Sequence, residues 1–154
     1  FNVGVVWAGN RRHLNDRNRS VPLDHFAPMA RIPDVRLISL QKGPAAAEIK
    51  TSGTGIVDWT AELSDLAETA GLIANLDLVI SVDTSVAHLA GAMAKPTWTL
   101  LPFAPDWRWM LNRSDSPWYP TMRLFRQPAP GDWHTPLRQI TEELSRLAGQ
   151  NRAT

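Results

Sequence analysis

An α/β fold with a doubly wound parallel sheet of about six strands is what this chain of 154 residues predicts. Short runs rich in β-branched residues alternate with stretches of helical periodicity from end to end, the pattern of a sheet built from crossover units. Residues 78–101, LVISVDTSVAHLAGAMAKPTWTLL, contain one whole unit: buried strand, polar turn, short helix, second buried strand. The apolar fraction is 44%, enough for one real core, so a single domain over residues 1–149 is expected, with a frayed tail at 150–154.

The first strand is residues 3–7, followed by a long polar loop over 8–20. Pro22 suits the first turn of a helix over 22–31, with Leu23, Phe26, Ala27 and Ala30 on its apolar face. A turn at 32–34 leads to a second strand, 35–40. Residues 41–60 are irregular, with one helical turn expected at 45–49 and a short strand at 56–57. Ser64 reads as the cap of the next helix, whose buried face would be Leu66, Thr69, Ala70, Ile73 and Leu76. In the central unit, Val86, Leu89, Ala90 and Met93 have helical spacing and Lys95-Pro96 ends the helix. The segment 100–119 reads as a loop with prolines at 102, 105 and 117; a loop of that length in a compact domain is usually functional or poorly ordered. Of the seven tryptophans, Trp7 and Trp98 fall in strand patterns, whereas Trp107, Trp109 and Trp118 fall in this loop, where core packing explains them less easily. A sixth strand is expected at 122–125. Thr135-Pro136 then reads as a cap and first turn for a terminal helix with Leu137, Ile140, Leu144 and Leu147 in one stripe.

Several function classes are disfavoured. The net charge of +1 gives no general case for nucleic acid, although residues 10–20 are locally basic. Cysteine is absent, which excludes disulfides and thiolate metal sites. No apolar run reaches the length of a membrane span and no secretory signal opens the chain, so a cytoplasmic protein is expected. Phe1 leads almost directly into a core strand, the expectation for a piece of a longer protein. The GxGxxG, GxxxxGK[ST] and GxSxG patterns are missing, His13, His25, His88 and His134 lack metal-ligand spacing, and no Asp-x-Asp pair is present. Neither a metal nor a cofactor is expected.

Right-handed crossovers place every strand-to-helix loop on one edge of the sheet. Asp83, Thr84 and Ser85 then sit at a helix amino end, where backbone N–H groups and the helix dipole favour an anion. The same residue types are also ordinary caps. His88, one turn on, shares the face of Thr84. The 8–20 loop adds Gly9 for close approach, Asn10, and four arginines suited to phosphate, or else forms a solvated basic loop. Lys42 follows the second strand, and Trp107 or Trp109 offers an aromatic face to a base or sugar or packs as a lid.

The segment Ser81-Val82-Asp83-Thr84-Ser85-Val86-Ala87-His88-Leu89-Ala90-Gly91-Ala92, followed by Lys95-Pro96, resembles the D-T-G-x-x-H-L-x-A signature of the heptosyltransferase-like (family 9) glycosyltransferases, and most of all the branch fused to tetratricopeptide repeats. Arg19-Ser20-Val21-Pro22-Leu23 and Ser39-Leu40-Gln41-Lys42-Gly43 look like that branch too. The resemblance implies the Rossmann-like carboxyl-terminal domain of a GT-B enzyme, binding a UDP-, ADP- or GDP-linked sugar without a metal. By motif position it implies that Asp83, Thr84, Ser85 and His88 line the diphosphate, that Arg19 is a phosphate ligand, and that Gln41 and Lys42 lie near the ribose. Ser85 stands where the family motif has Gly, so its side chain would either crowd a phosphate or contact it. Acceptor and catalytic base are expected on an amino-terminal domain absent from this chain, leaving the chain alone unable to transfer sugar. A different expectation is a non-catalytic Rossmann-like module that binds protein or glycan through its tryptophan loop.

Overall fold

A computed structural model of the chain describes residues 1–151. Six parallel strands form one sheet: β1 (Asn2–Val6), β2 (Arg36–Ser39), β3 (Val57–Asp58), β4 (Leu78–Val82), β5 (Thr97–Leu101) and β6 (Met122–Arg126), in spatial order β3-β2-β1-β4-β5-β6. That is the doubly wound Rossmann order. The chain works outward from β1 to β3, then returns to the middle and works outward the other way. β1 accordingly has two neighbours, with Val3 opposite both Leu37 and Leu78. β4 and β5 are buried at every position, which is why they are continuous apolar or small-residue runs rather than alternating ones. Val79, Ile80 and Val82 are fully buried, worth roughly 1.5–3 kcal/mol per side chain.

The helices differ from expectation in detail. The 8–20 loop contains one helical turn, α1 (Asp16–Arg19). The single helix expected over 22–31 is instead a 3-10 turn, Leu23–Phe26, followed by α2 (Ala27–Ala30). Pro28 is the reason: it cannot donate to the carbonyl four residues back, so the chain tightens before becoming helical. Leu23, Phe26 and Met29 still reach the core. After β2 a 3-10 turn (Pro44–Glu48) runs into α3 (Ile49–Ser52), closed by Gly53 at φ +60°.

α4 (Leu66–Ala74) is capped by Asp65, not Ser64. The Asp65 carboxylate accepts from Glu68 N–H at 2.8 Å, and Glu68 reaches back to the Ser64 N–H, a capping box displaced by one residue. Thr69 and Ile73 in this helix and Leu76 beyond it are buried as expected, but Leu66 at the first position faces solvent. Asp65→Ala should cost about 1 kcal/mol, read as a lower urea midpoint with an unchanged slope.

α5 (Ser85–Ala92) buries Val86 and Ala90, whereas Met93 lies beyond its end and is about one-third exposed. The helix closes on Ala94 at φ +54°, one residue before Lys95-Pro96. α6 (His134–Asn151) is preceded by Asp132, whose carboxylate accepts from both the N–H and hydroxyl of Thr135, so the capping side chain is that of Asp132 rather than Thr135. Leu137, Ile140 and Leu144 are buried with Leu147 partly so, and the helix packs on β6 and α2. Gln150 and Asn151 are still helical where fraying was expected; residues 152–154 lie outside the described residues. Among the described residues no helix is long and apolar enough to cross a membrane.

The segment between β5 and β6 is not a loose loop. Leu101, Trp109, Met122 and Leu124, with Tyr119 against them, form a second small core. Trp109 is therefore buried, unlike Trp107 and Trp118. Arg126 donates from Nη2 to the carbonyls of Trp109 and Met110, holding the turn Trp107–Trp109 in place. Farther on, Leu124 N–H donates to Ser114 O at 2.7 Å and Asp115 bridges Arg123 in antiparallel fashion, so the segment lies along the outer edge of β6.

Candidate functional site

The strand order reverses between β1 and β4, and a crevice opens beyond the carboxyl ends of strands at such a point. Here it is a cleft of about 750 Å³ lined by His13, Arg19, Asp83, Thr84, Ser85, His88, Trp107, Trp118 and Tyr119, with Asp106 and Arg108 at its aromatic side. That volume suits a ligand of nucleotide size. A smaller apolar groove between α6 and the Leu23–Phe26 turn with α2 lies apart from these residues.

Arg19 comes to the cleft because α1 ends there, after which Val21 N–H bonds to Trp7 O and returns the chain to the sheet. The guanidinium donates from Nη1 to the Asp83 carbonyl at 2.8 Å and from Nε to Asp16 Oδ1 at 3.4 Å. Nη2 has no protein acceptor among the described residues. Gly9 makes this placement possible. A Cβ there would stand 2.3 Å from Asp16 Oδ1 and 2.6 Å from Arg19 Nη2, and the Gly9 N–H donates to Ser20 Oγ. Gly9 thus serves the site by making room for the arginine.

On the other side, Thr84 stands at the cap position of α5 but makes no capping bond, and its hydroxyl pairs with Ser81 instead. The first turn of α5 therefore opens toward the cleft without side-chain capping from Thr84, the arrangement that favours an anion. Ser85 is exposed at the lip. His88 lies between Asp83 and Tyr119: Nε2 is 3.7 Å from Asp83 Oδ1, and Nδ1 is 3.0 Å from the Tyr119 hydroxyl. Burial by itself would raise the Asp83 carboxyl. Weak donation from the His88 ring at 3.7 Å and from Trp109, with the charge of Arg19 and, where the ring is protonated, of His88, outweighs it and holds the group below the usual carboxylate range. The Trp109 indole N–H reaches no acceptor at full hydrogen-bond geometry, so its interaction with Asp83 is a weak one.

A depressed folded-state value means that ionised Asp83 stabilises the fold above the ordinary carboxylate pKa, and that this stability is lost as pH falls through the lowered value. Acid unfolding of Asp83→Asn should therefore lose part of its pH dependence below about pH 4, measured by denaturation midpoints across pH.

Of the ten residues singled out from sequence, the cleft gathers Arg19, Asp83, Thr84, Ser85, His88 and Trp107 directly, with Gly9 behind Arg19. Asn10 is exposed and accepts from Arg12 N–H in a local turn. Gln41 is buried, its amide spent on Trp7, Ala8 and Lys42 backbone groups. Lys42 Nζ donates to the carbonyls of Thr60 and Leu63. None of these three lines the cleft. Sequence reasoning missed Tyr119 altogether and gave Trp118 no role beyond membership of the tryptophan loop. Their signal was faint, a Pro117-Trp118-Tyr119-Pro120 run that only the β5–β6 pairing carries to His88. Among the described residues no three His, Asp or Glu side chains form a group able to hold a metal ion.

The chain is 28% identical to Protein FlbA of Caulobacter vibrioides over 152 residues, covering 95% of this chain and spanning about a quarter (25%) of that relative's length. Residues 40–111, which hold Asp83 through His88 and Trp107 but neither Arg19 nor Tyr119, match the family described as glycosyltransferase family 9 (heptosyltransferase).

Proposed function

We propose that this chain binds the nucleotide-sugar donor of a metal-independent GT-B glycosyltransferase, as the carboxyl-terminal domain of that enzyme within a larger protein of the kind fused to tetratricopeptide repeats. The observation that carries the reading is the convergence of Arg19, from the loop after β1, on the start of α5 after β4, with its Nη1 2.8 Å from the Asp83 carbonyl. Two sources of positive potential from separate segments suit a diphosphate better than one. The diphosphate takes the α5 amino end and the free Nη2 of Arg19. Asp83, held ionised, repels phosphate and instead accepts hydrogen bonds from ligand hydroxyls. Trp107, 70% exposed, offers a face to the base or sugar.

Developing charge on the leaving diphosphate would be stabilised by those same donors. The acceptor hydroxyl would be activated by a base on another domain, so this chain alone binds and does not transfer. A cytoplasmic reaction is part of the same proposal. Calorimetric titration with UDP, ADP and GDP tests the reading: saturable binding of one of them is expected. Absence of binding to all three by a folded chain overturns it. That result would favour a protein- or glycan-binding module, for which the exposure of both Trp107 and Trp118 at the cleft mouth is the specific support.

A further inference from the structure

We propose that Tyr119 is a positioning residue that fixes the ring of His88 in the tautomer carrying its proton on Nε2, so that His88 presents an N–H donor to the cleft beside Asp83. Only the identity of the ligand rests on the nucleotide-sugar reading above; the geometry stands apart from it. The imidazole of His88 is held on two sides. It stacks on the indole of Trp109, with centroids 5.2 Å apart and planes at 21°, and meets Tyr119 edge-on at 5.7 Å.

Tyr119 reaches this position because residue 91 is glycine. A Cβ at Gly91 would lie 2.6 Å from Tyr119 Cγ, 2.9 Å from its Cδ1 and 3.0 Å from Met122 Cε. Glycine inside a helix costs about 1 kcal/mol relative to alanine, and here it admits an aromatic ring against the bare backbone of α5.

The Tyr119 hydroxyl lies 3.0 Å from His88 Nδ1 and has no other hydrogen-bond partner among the described residues. A phenol that donates to Nδ1 requires that nitrogen unprotonated, which leaves the ring proton on Nε2. The opposite tautomer would aim the Nε2 lone pair at the ionised Asp83 carboxylate. At 3.7 Å the Nε2–Oδ1 separation is too long for a full hydrogen bond, so Nε2–H remains available to a ligand oxygen. The buried Trp109 indole N–H, also short of an acceptor at full geometry, is the second incompletely used donor beside Asp83. Two such donors around one carboxylate describe a site arranged for a ligand rather than for internal packing.

Tyr119→Phe keeps the ring against Gly91 and removes only the hydroxyl. Long-range proton–nitrogen correlation spectra of the full chain at about pH 8, above the ordinary imidazole range, report the tautomer directly. The expected result is an Nε2-protonated His88 in the parent chain and a mixture in Tyr119→Phe, with nucleotide affinity lower by roughly 3- to 10-fold and little change in melting temperature. Gly91→Ala, which displaces Tyr119, should give the same spectral change. An Nδ1-protonated His88 in the parent chain, or spectra unaltered by Tyr119→Phe, overturns the assignment. A tautomer shift without nucleotide binding to the parent chain upholds the role of Tyr119 and overturns the donor-binding reading.

Discussion

Arg19→Ala is expected to weaken nucleotide-diphosphate binding by roughly 10- to 100-fold, the loss of one charge-assisted phosphate contact. Two effects are mixed in that variant. Asp16 is 8% exposed and loses its guanidinium partner, so a buried carboxylate is left behind and stability falls as well. Asp16→Asn combined with Arg19→Ala separates them: the double variant should recover most of the stability and none of the affinity. Gly9→Ala approaches the same point differently, because its added methyl collides with Asp16 and the guanidinium while leaving the charge in place. Affinity should fall less than in Arg19→Ala, and calorimetry at two salt concentrations should show the salt dependence retained. An Arg19→Ala chain that binds as well as its parent would remove Arg19 from the diphosphate site.

Gln41→Ala should be the most destabilising polar truncation in the chain, at about 3 kcal/mol. The Gln41 Oε1 accepts from the N–H groups of Trp7 at 3.1 Å and Ala8 at 2.8 Å, while Nε2 donates to the carbonyls of Ala8 at 3.0 Å and Lys42 at 2.9 Å. One amide thus closes the gap where β1 and β2 end and their backbones diverge. Truncation strands four backbone groups, three of them in part-buried bonds that water can partly replace, and each group costs on the order of 1 kcal/mol or less. Set against a total stability of roughly 5–15 kcal/mol, the urea midpoint should fall by about 1–2 M. Gln41→Glu keeps the acceptor but buries a charge whose second oxygen faces the Ala8 and Lys42 carbonyls, so it should be at least as destabilising as Gln41→Ala. Because the side chain faces the backbone and not the cleft, surviving folded protein should bind nucleotide as its parent does. Stability near that of the parent together with lost binding would return Gln41 to the ribose.

What sequence could reveal here follows physical range. The strands were legible because burial on both faces demands continuous runs such as Leu78-Val79-Ile80-Ser81-Val82, a property visible in adjacent residues. The turn at 83–85 and its helix were legible for the same local reason. Gln41 was singled out through the family resemblance and Lys42 also by its position after a strand, but their partners at residues 7, 8, 60 and 63 come from elsewhere in the chain, and those partners decide their roles. Trp109 and Trp107 have identical side chains two residues apart, yet one is 1% exposed and the other 70%. The small core of Leu101, Met122 and Leu124 around Trp109, with the clasp of Arg126 on the Trp109 and Met110 carbonyls, distinguishes them. Tyr119 depends on a gap at Gly91, and nothing in a run of small residues announces which one admits a ring.

Lying along β6, the 102–121 segment does a second job. Ser114 and Asp115 occupy hydrogen-bonding positions on a strand that would otherwise offer free backbone groups to another molecule. Shortening this segment to ask whether its tryptophans bind ligand would also unmask that border, so the product would self-associate through added strands and precipitate before reporting any affinity. Single-residue replacement of Trp107 or Trp118 leaves the guard in place and isolates the recognition question.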